Sequence, residues 1–277
     1  MQTSLIISTY NKIEYLKLVL AGCETQTEKN FEIILADDGS NAEVISKIEK
    51  LSRQLEMKIK HVWQEDKGFR KNRILNEAIK VSSGNYLIFI DGDCVPHPSF
   101  VKEHLRYAEN NVCLTGRRVN LSKDFTALLT AENIKRRFIE NNFHKLVLDG
   151  VFGESFDVEK GIYIKDEFLR KRINKKKRGI LGCNFSLFKK DLLAINGFDE
   201  RYEAPSVGED SDVQFRLELN GVEIKSLNNI AVQYHLYHKL QPRPKKNLLL
   251  FEKIKNEKKT FTPYGIKKFD DNEDAEE

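Results

Sequence analysis

Residues Tyr86–Phe100 read YLIFIDGDCVPHPSF. Five apolar or aromatic residues run without a break into Asp91-Gly92-Asp93. A short continuous apolar run closed by turn residues is the pattern of a strand covered on both faces, as in parallel sheets. The two carboxylates then emerge at the strand's carboxyl end. Carboxylates this close raise each other's pKa unless a cation is present. A hard divalent ion, bound by one or two carboxylates and completed by substrate phosphates, relieves that repulsion. A D-x-D alone is common in turns; behind a buried strand it points to phosphate and metal chemistry.

Outward from this strand the pattern repeats. Ser4–Ser8, Phe31–Ala36 and Ile59–Trp63 read as strands, and helical periods cover Glu14–Cys23, Ala42–Leu55, Arg70–Lys80 and the region near Ser99–Glu109. Strands separated by helices of this length predict an α/β fold with a mostly parallel central sheet flanked by helices. Ligands of such sheets bind outside the carboxyl ends of the strands. There the chain carries Thr9-Tyr10-Asn11, Asp37-Asp38-Gly39-Ser40, Gln64-Glu65-Asp66 and Asp91-Gly92-Asp93. Turn and N-cap chemistry explains any one cluster. Four in succession set carboxylates and amides along one rim.

The second half is less regular. Phe125–His144 reads as a helix, Asn184–Phe188 as a strand, Glu209–Asn220 as a helix and Ile230–His235 as a last strand, followed by an amphipathic helix over 245–259. No repeat or flexible linker interrupts the chain. The expected organisation is a single domain over 1–240, made of a nucleotide-binding half (1–118), an acceptor-side insertion (119–178) and a catalytic half (179–240). A C-terminal helix and acidic tail occupy 241–277. Gly208-Glu209-Asp210-Ser211-Asp212 opens the helical pattern. Acids are favoured at a helix N-terminus by the macrodipole, and one of them could equally serve as a carboxylate base beside a cation-bound phosphate. His235 and His238, at i and i+3 after a strand, suit a metal ligand and a neighbour.

Composition bounds the rest. With 277 residues, 40% hydrophobic and 32% charged, the chain supports one large domain with at most a small appendage. A mean hydropathy of −0.50 and no long apolar run speak against a transmembrane helix. The start, MQTSLIISTYN, lacks the features of a signal peptide, so a cytoplasmic location is expected, with peripheral contact at the inner face of a membrane as a further expectation. Cys23, Cys94, Cys113 and Cys183 form no C-x-x-C pair and read as reduced, partly buried thiols. The net charge is +4, with a basic run over 165–178 suited to an anionic lipid headgroup or a charged glycan. Nucleic acid is not an expected partner, because the run lacks interleaved aromatics.

Taken together, SLIISTYNKIEYLKLVLAGCETQT (4–27), FEIILADDGS (31–40), WQEDKGFRKNRILNEAI (63–79), the opening stretch, LGCNFSLFKKDLLAINGFDERYEAPSVGEDSDVQFRLELNG (181–221) and AVQYHLYH (231–238) resemble an inverting family 2 glycosyltransferase. The implied fold is GT-A, a Rossmann-like nucleotide-diphospho-sugar transferase fold. The second half resembles the C-terminal region of β-1,4-galactosyltransferases and chondroitin-polymerase-type enzymes. The resemblance covers about residues 3–118 and 179–240. It implies transfer of a hexose or N-acetylhexosamine from a UDP-sugar to a hydroxyl of a glycan or lipid-linked acceptor, with Mn²⁺ or Mg²⁺ as cofactor. Thr9, Tyr10, Asn11 and Asp38 would hold the nucleoside, with Asp66 and Arg73 in the following nucleotide-binding segment. Asp93 would bind metal, and Asp91 the ribose or the metal. Asp210 would be the base, with Glu209 assisting the acceptor. His235 would be the third metal ligand, with His238 as its substitute, and Asn184 would sit beside the donor sugar. The family's G-x-x-x-A-R-N segment reads here Gly68-Phe69-Arg70-Lys71-Asn72-Arg73-Ile74, which leaves open which arginine meets the diphosphate. Two rivals are a sugar nucleotidyltransferase, whose glycine-rich loop after the first strand is replaced here by STYNKIEYL, and a non-catalytic module for glycans or anionic surfaces.

Overall fold

The computed structural model describes residues 1–173, 179–204, 209–239 and 245–268, and of Glu209 the backbone alone. Its strands are β1 (Thr3–Thr9), β2 (Glu32–Asp37), β3 (Ile59–Trp63), β4 (Tyr86–Asp91), β5 (Cys94–Pro96), β6 (Val112–Thr115), β7 (Val119–Asn120), β8 (Asn184–Phe188), β9 (Glu223–Ser226) and β10 (Gln233–His235). A seven-stranded sheet has the order β3-β2-β1-β4-β8-β6-β9. Its β3-β2-β1-β4 portion is parallel, and β8 lies antiparallel to both β4 and β6. A three-stranded sheet, β5-β10-β7, sits apart from it.

The apolar runs are continuous because both sheet faces are covered. Alternate side chains on a strand point to opposite faces. Leu5, Ile7, Ile33, Leu35, Ile88 and Ile90 join one core with Leu16 and Leu20 of the helix Ile13–Glu24. The residues between them, Ile6, Ile34, Leu87 and Phe89, join a second core with Ile74, Ala78 and Ile79 of the helix Lys71–Val81. Each such side chain contributes about 1.5–3 kcal/mol when fully buried. A one-residue slip of any central strand would exchange its two faces.

The second half departs from the expected elements. Phe125–His144 is not one helix: the chain folds as Lys123–Ala127, Ala131–Lys135 and Phe138–Asn141, followed by Phe143–Phe152. Thr130 starts a new helix through a reciprocal capping box with Asn133, and Arg137 breaks the next one with a left-handed backbone (φ 58°). The short strands β5, β6, β7 and β9 have two to four residues each, too few to show a period. Among the described residues no helix is long and apolar enough to cross a membrane, and all four cysteines are buried and unpaired.

Two glycines fix the rim. Gly92 donates its N–H to the Ser8 carbonyl at 2.7 Å, and a Cβ there would lie 2.9 Å from that same oxygen. The D-G-D glycine is thus demanded by the closeness of β1. Gly39 has φ +100°, and a Cβ there would lie 2.6 Å from the Asp66 Cα. Gly39→Ala is therefore expected to cost at least about 1–3 kcal/mol, read as a lower urea midpoint; an unchanged midpoint would contradict this turn geometry.

Candidate active site at the carboxyl rim of the sheet

Strand order reverses between β1 and β4, and crevices of open α/β sheets form at such points. Ser8 and Asp91 are register partners across this pair, and Ser8 Oγ donates to Asp91 Oδ1 at 2.7 Å. Lys71 Nζ, at the start of the helix Lys71–Val81, lies 3.0 Å from the same oxygen.

Beyond Gly92 the chain enters β5, which pairs antiparallel with β10 and sets His235 opposite Cys94. The Leu236 N–H donates to the Asp93 carbonyl at 2.8 Å, which fixes the register. As a result His235 Nε2 lies 3.6 Å from Asp93 Oδ1, and His238 Nε2 lies 3.3 Å from Asp93 Oδ2. One ligand atom from each of Asp93, His235 and His238 falls within 4.8 Å of the others. Asp91 is outside this group and engages Ser8 and Lys71.

The electrostatics suit cation binding. Burial pushes the Asp93 carboxyl up, but the His238 hydrogen bond and the charges of His235 and Lys12 outweigh it and hold the group well below the usual carboxylate range. Burial lowers the His235 imidazole to about 4, against the opposing pull of Asp93. His238 is raised, chiefly by its hydrogen bond to Asp93. Metal ligation needs an ionised carboxylate and neutral imidazoles; Asp93 and His235 are held in those forms, whereas His238 must release the proton that its contact with Asp93 favours. Two nitrogens beside one carboxylate fit Mn²⁺ better than the harder Mg²⁺, which favours oxygen. The residues therefore fit a divalent transition metal.

Cations surround the acids. Lys12 Nζ lies 3.8 Å from Asp93 Oδ2. Arg118 donates to Cys183 Sγ at 3.5 Å; burial works against its charge, but the Cys183 and Cys94 thiols and the Asp91 and Asp93 carboxylates raise its pKa overall. Lys12, Lys71 and Arg118 were not expected from the sequence. Single basic residues have no spacing signal, and only the sheet register reveals what they face.

The residues expected to hold the nucleoside cluster on the β1–β2–β3 side. The Asp38 N–H donates to the Thr9 carbonyl at 3.0 Å, and the Asn11 N–H to Ser40 Oγ at 2.8 Å. The buried Asp38 carboxylate accepts from the Arg70 N–H at 2.9 Å and from Gln64 Nε2, yet burial dominates and raises its pKa. Tyr10 Oη donates to Asp66 Oδ2 at 2.8 Å, and the Tyr10 ring is 46% exposed, open to a ligand. Two expected residues are placed otherwise. Arg73 is exposed on its helix, while Lys71 reaches the rim. Asn184 has 0% exposure, donates to the Arg117 and Ala231 carbonyls at 2.9 Å each and pairs through Oδ1 with His104 at 3.1 Å. Its amide is used inside the protein, so it shapes the start of β8 and offers no group to a donor sugar.

Asp210 belongs to the same rim as Asp93. Because β8 runs antiparallel to β4, its beginning lies at the carboxyl end of β4, with Asn184 opposite Ile90. Asp210, in the first turn of the helix Glu209–Leu219, accepts from the Gly182 N–H at 3.3 Å, two residues before β8. It also accepts from the Ser211 N–H at 2.8 Å and is half-buried. The side chain of Glu209 lies outside the described residues. Asp212 has a different job: it has 0% exposure and pairs with Arg216, which also donates to the Ile195 and Gly197 carbonyls at 2.7 and 2.9 Å. Arg216→Met would strand a buried carboxylate and is expected to cost about 3–5 kcal/mol in urea unfolding; a loss under about 1 kcal/mol would contradict the pairing.

Comparison with known proteins agrees with this architecture. The chain is 26% identical over 242 residues to a chondroitin synthase of Escherichia coli, covering 84% of this chain and 34% of that one. It is 25% identical over 241 residues to a hyaluronan synthase of Pasteurella multocida, covering 84% of this chain and 24% of that one. The chain thus spans about a third or less of these two relatives' lengths. Among solved structures, S. aureus TarS 1–349 in complex with UDP-GlcNAc matches with a TM-score of 0.58 at 18% identity, covering 87% of this chain and 60% of that one. The mannosyltransferase PcManGT of Pyrobaculum calidifontis, in complex with GDP-Man and Mn²⁺, matches with a TM-score of 0.56 at 14% identity, covering 86% and 57%. These likenesses show the GT-A fold. A family model described as the N-terminal domain of galactosyltransferase matches residues 167–239. The model for glycosyl transferase family 2 matches residues 4–194, well over half of the sequence, and the chain belongs to that family.

Proposed function

We propose that this chain transfers a hexose or N-acetylhexosamine from a UDP-sugar to a hydroxyl of a glycan or lipid-linked acceptor, with inversion and with a divalent cation. The observation that carries the proposal is the meeting of Asp93, His235 and His238 within 4.8 Å, on the rim that also bears the Asp38–Asp66 cluster and Asp210. UDP-GlcNAc bound to one structural neighbour, and GDP-Man with Mn²⁺ bound to another, support a nucleotide-sugar donor and a metal. Relatives named for chondroitin and hyaluronan synthesis support a glycan acceptor.

In this reading Asp93, His235 and His238 hold the cation, which when bound supplies Lewis-acid stabilisation of the departing diphosphate. Tyr10, Asp38 and Asp66 position the nucleoside. Lys71 and Lys12, paired with Asp91 and Asp93 in the free protein, are placed to turn toward the diphosphate and add positive charge. Asp210 takes the proton of the acceptor hydroxyl. The acceptor oxygen bonds to the anomeric carbon as the bond from that carbon to the diphosphate oxygen breaks. The proton ends on Asp210 and UDP leaves with the electron pair. The test is a UDP-release screen across nucleotide sugars, with and without Mn²⁺. Release from at least one UDP-sugar that requires Mn²⁺ is expected; no release from any UDP-sugar with any glycan acceptor would overturn the reading.

A further inference from the structure

A groove of about 500 Å³ lies between the helix Ile13–Glu24 and the first turns of the 119–178 insertion. Ligand pockets span about 300–1,000 Å³. Tyr15, Leu18, Lys123, Ala127, Leu129 and Tyr237 line it. Tyr237 stands between His235 and His238 in the chain. Its N–H donates to Thr126 Oγ1 at 3.0 Å and its carbonyl accepts from Tyr15 Oη at 2.5 Å. The groove is therefore continuous with the segment that brings both imidazoles to Asp93. Both tyrosines are half-buried, so their rings are fixed without being sealed off.

This lining has the chemistry of a saccharide site. A pyranose ring presents apolar C–H faces, which lie well on aromatic rings, and hydroxyls, which need polar partners. Tyr237 supplies an apolar body and a polar tip, and Tyr15, whose Oη is given to the Tyr237 carbonyl, adds apolar ring surface. Charge narrows the choice further. Glu14 and Lys17 pair at 2.9 and 3.0 Å and cancel one another, while Lys123 has no ion pair among the described residues. The groove keeps one positive charge, which suits a carboxylated sugar. We propose that it is a subsite for the acceptor glycan, holding the sugars behind the one whose hydroxyl reacts, with Lys123 facing a carboxylated unit. The inference rests on the transferase reading above and names the acceptor class of that site.

Ala127 is exposed at the groove, so Ala127→Trp fills the space without touching the triad or Asp210. Lys123→Gln removes the charge. The probes are a hexasaccharide of alternating glucuronate and N-acetylglucosamine, and the neutral N-acetylglucosamine hexasaccharide, titrated calorimetrically into the full chain. The wild type is expected to bind the acidic probe more tightly. Ala127→Trp should weaken both probes by about tenfold or more, and Lys123→Gln should weaken the acidic probe alone. Binding of UDP with Mn²⁺ should be unchanged in both variants. Absence of wild-type binding to both probes, or equal binding by Ala127→Trp, would overturn the subsite; equal weakening of both probes by Lys123→Gln would overturn the role of its charge. If glycan binding follows these variants while no UDP-sugar releases UDP, the subsite stands and the transferase reading falls.

Discussion

Asp93→Asn is expected to lower Mn²⁺ affinity by about 100-fold or more and turnover by about 10³-fold. The substitution keeps the side chain's shape and removes the charge on which three groups converge. His235 and His238 approach its two oxygens at 3.6 and 3.3 Å, and Lys12 lies 3.8 Å away. Loss of even an outer partner of a metal ligand costs about 10–100-fold in metal affinity, so loss of the one anionic ligand should exceed that. A Lewis acid at a departing phosphate contributes several kcal/mol, and about 1.4 kcal/mol corresponds to tenfold in rate. Manganese titration followed by electron paramagnetic resonance separates the two effects. Wild-type Mn²⁺ affinity in the variant would remove Asp93 from the metal site.

Asp210→Asn has the second largest expected effect, and it falls on a different quantity. General-base assistance contributes about 10²–10⁴-fold, so kcat should drop by that much. The amide can still accept from the Gly182 and Ser211 N–H groups, which hold the wild-type carboxylate at 3.3 and 2.8 Å. The local structure and UDP affinity should therefore persist. A variant with normal turnover, or one that loses UDP binding in step with kcat, would show that Asp210 is not the base. The neighbouring Asp212 offers a control, since its removal should lower stability through its partner Arg216.

In the β1–β4 half, β1, β2 and β4 are legible as continuous apolar runs ending in turn residues, β3 (IKHVW) is a mixed edge strand marked by its β-branched and aromatic residues, and the parallel arrangement sets the polar ends on one rim. His235 and Asp93 are legible as candidates and the strand ending at His235 is read from the sequence, but their meeting depends on its antiparallel pairing with β5, which at three residues is too short to show a period. Phe125–His144 reads as one helix because apolar spacing persists through it, while the capping box at Thr130 and the left-handed Arg137 interrupt the backbone. Asn184 resembled a sugar contact because its neighbours match the family; its burial beside His104 is a tertiary fact. Lys12, Lys71 and Arg118 carry no pattern of their own, and register alone brings them to the acids.

In the proposed function one rim binds a nucleoside diphosphate and a divalent cation together. The direct measurement is calorimetric titration of UDP into the protein with Mn²⁺ present and again in EDTA. Binding is expected to tighten by roughly tenfold or more with Mn²⁺, that is, by about 1.4 kcal/mol or more. Equal UDP affinity in both conditions, or no UDP binding in either, would contradict it.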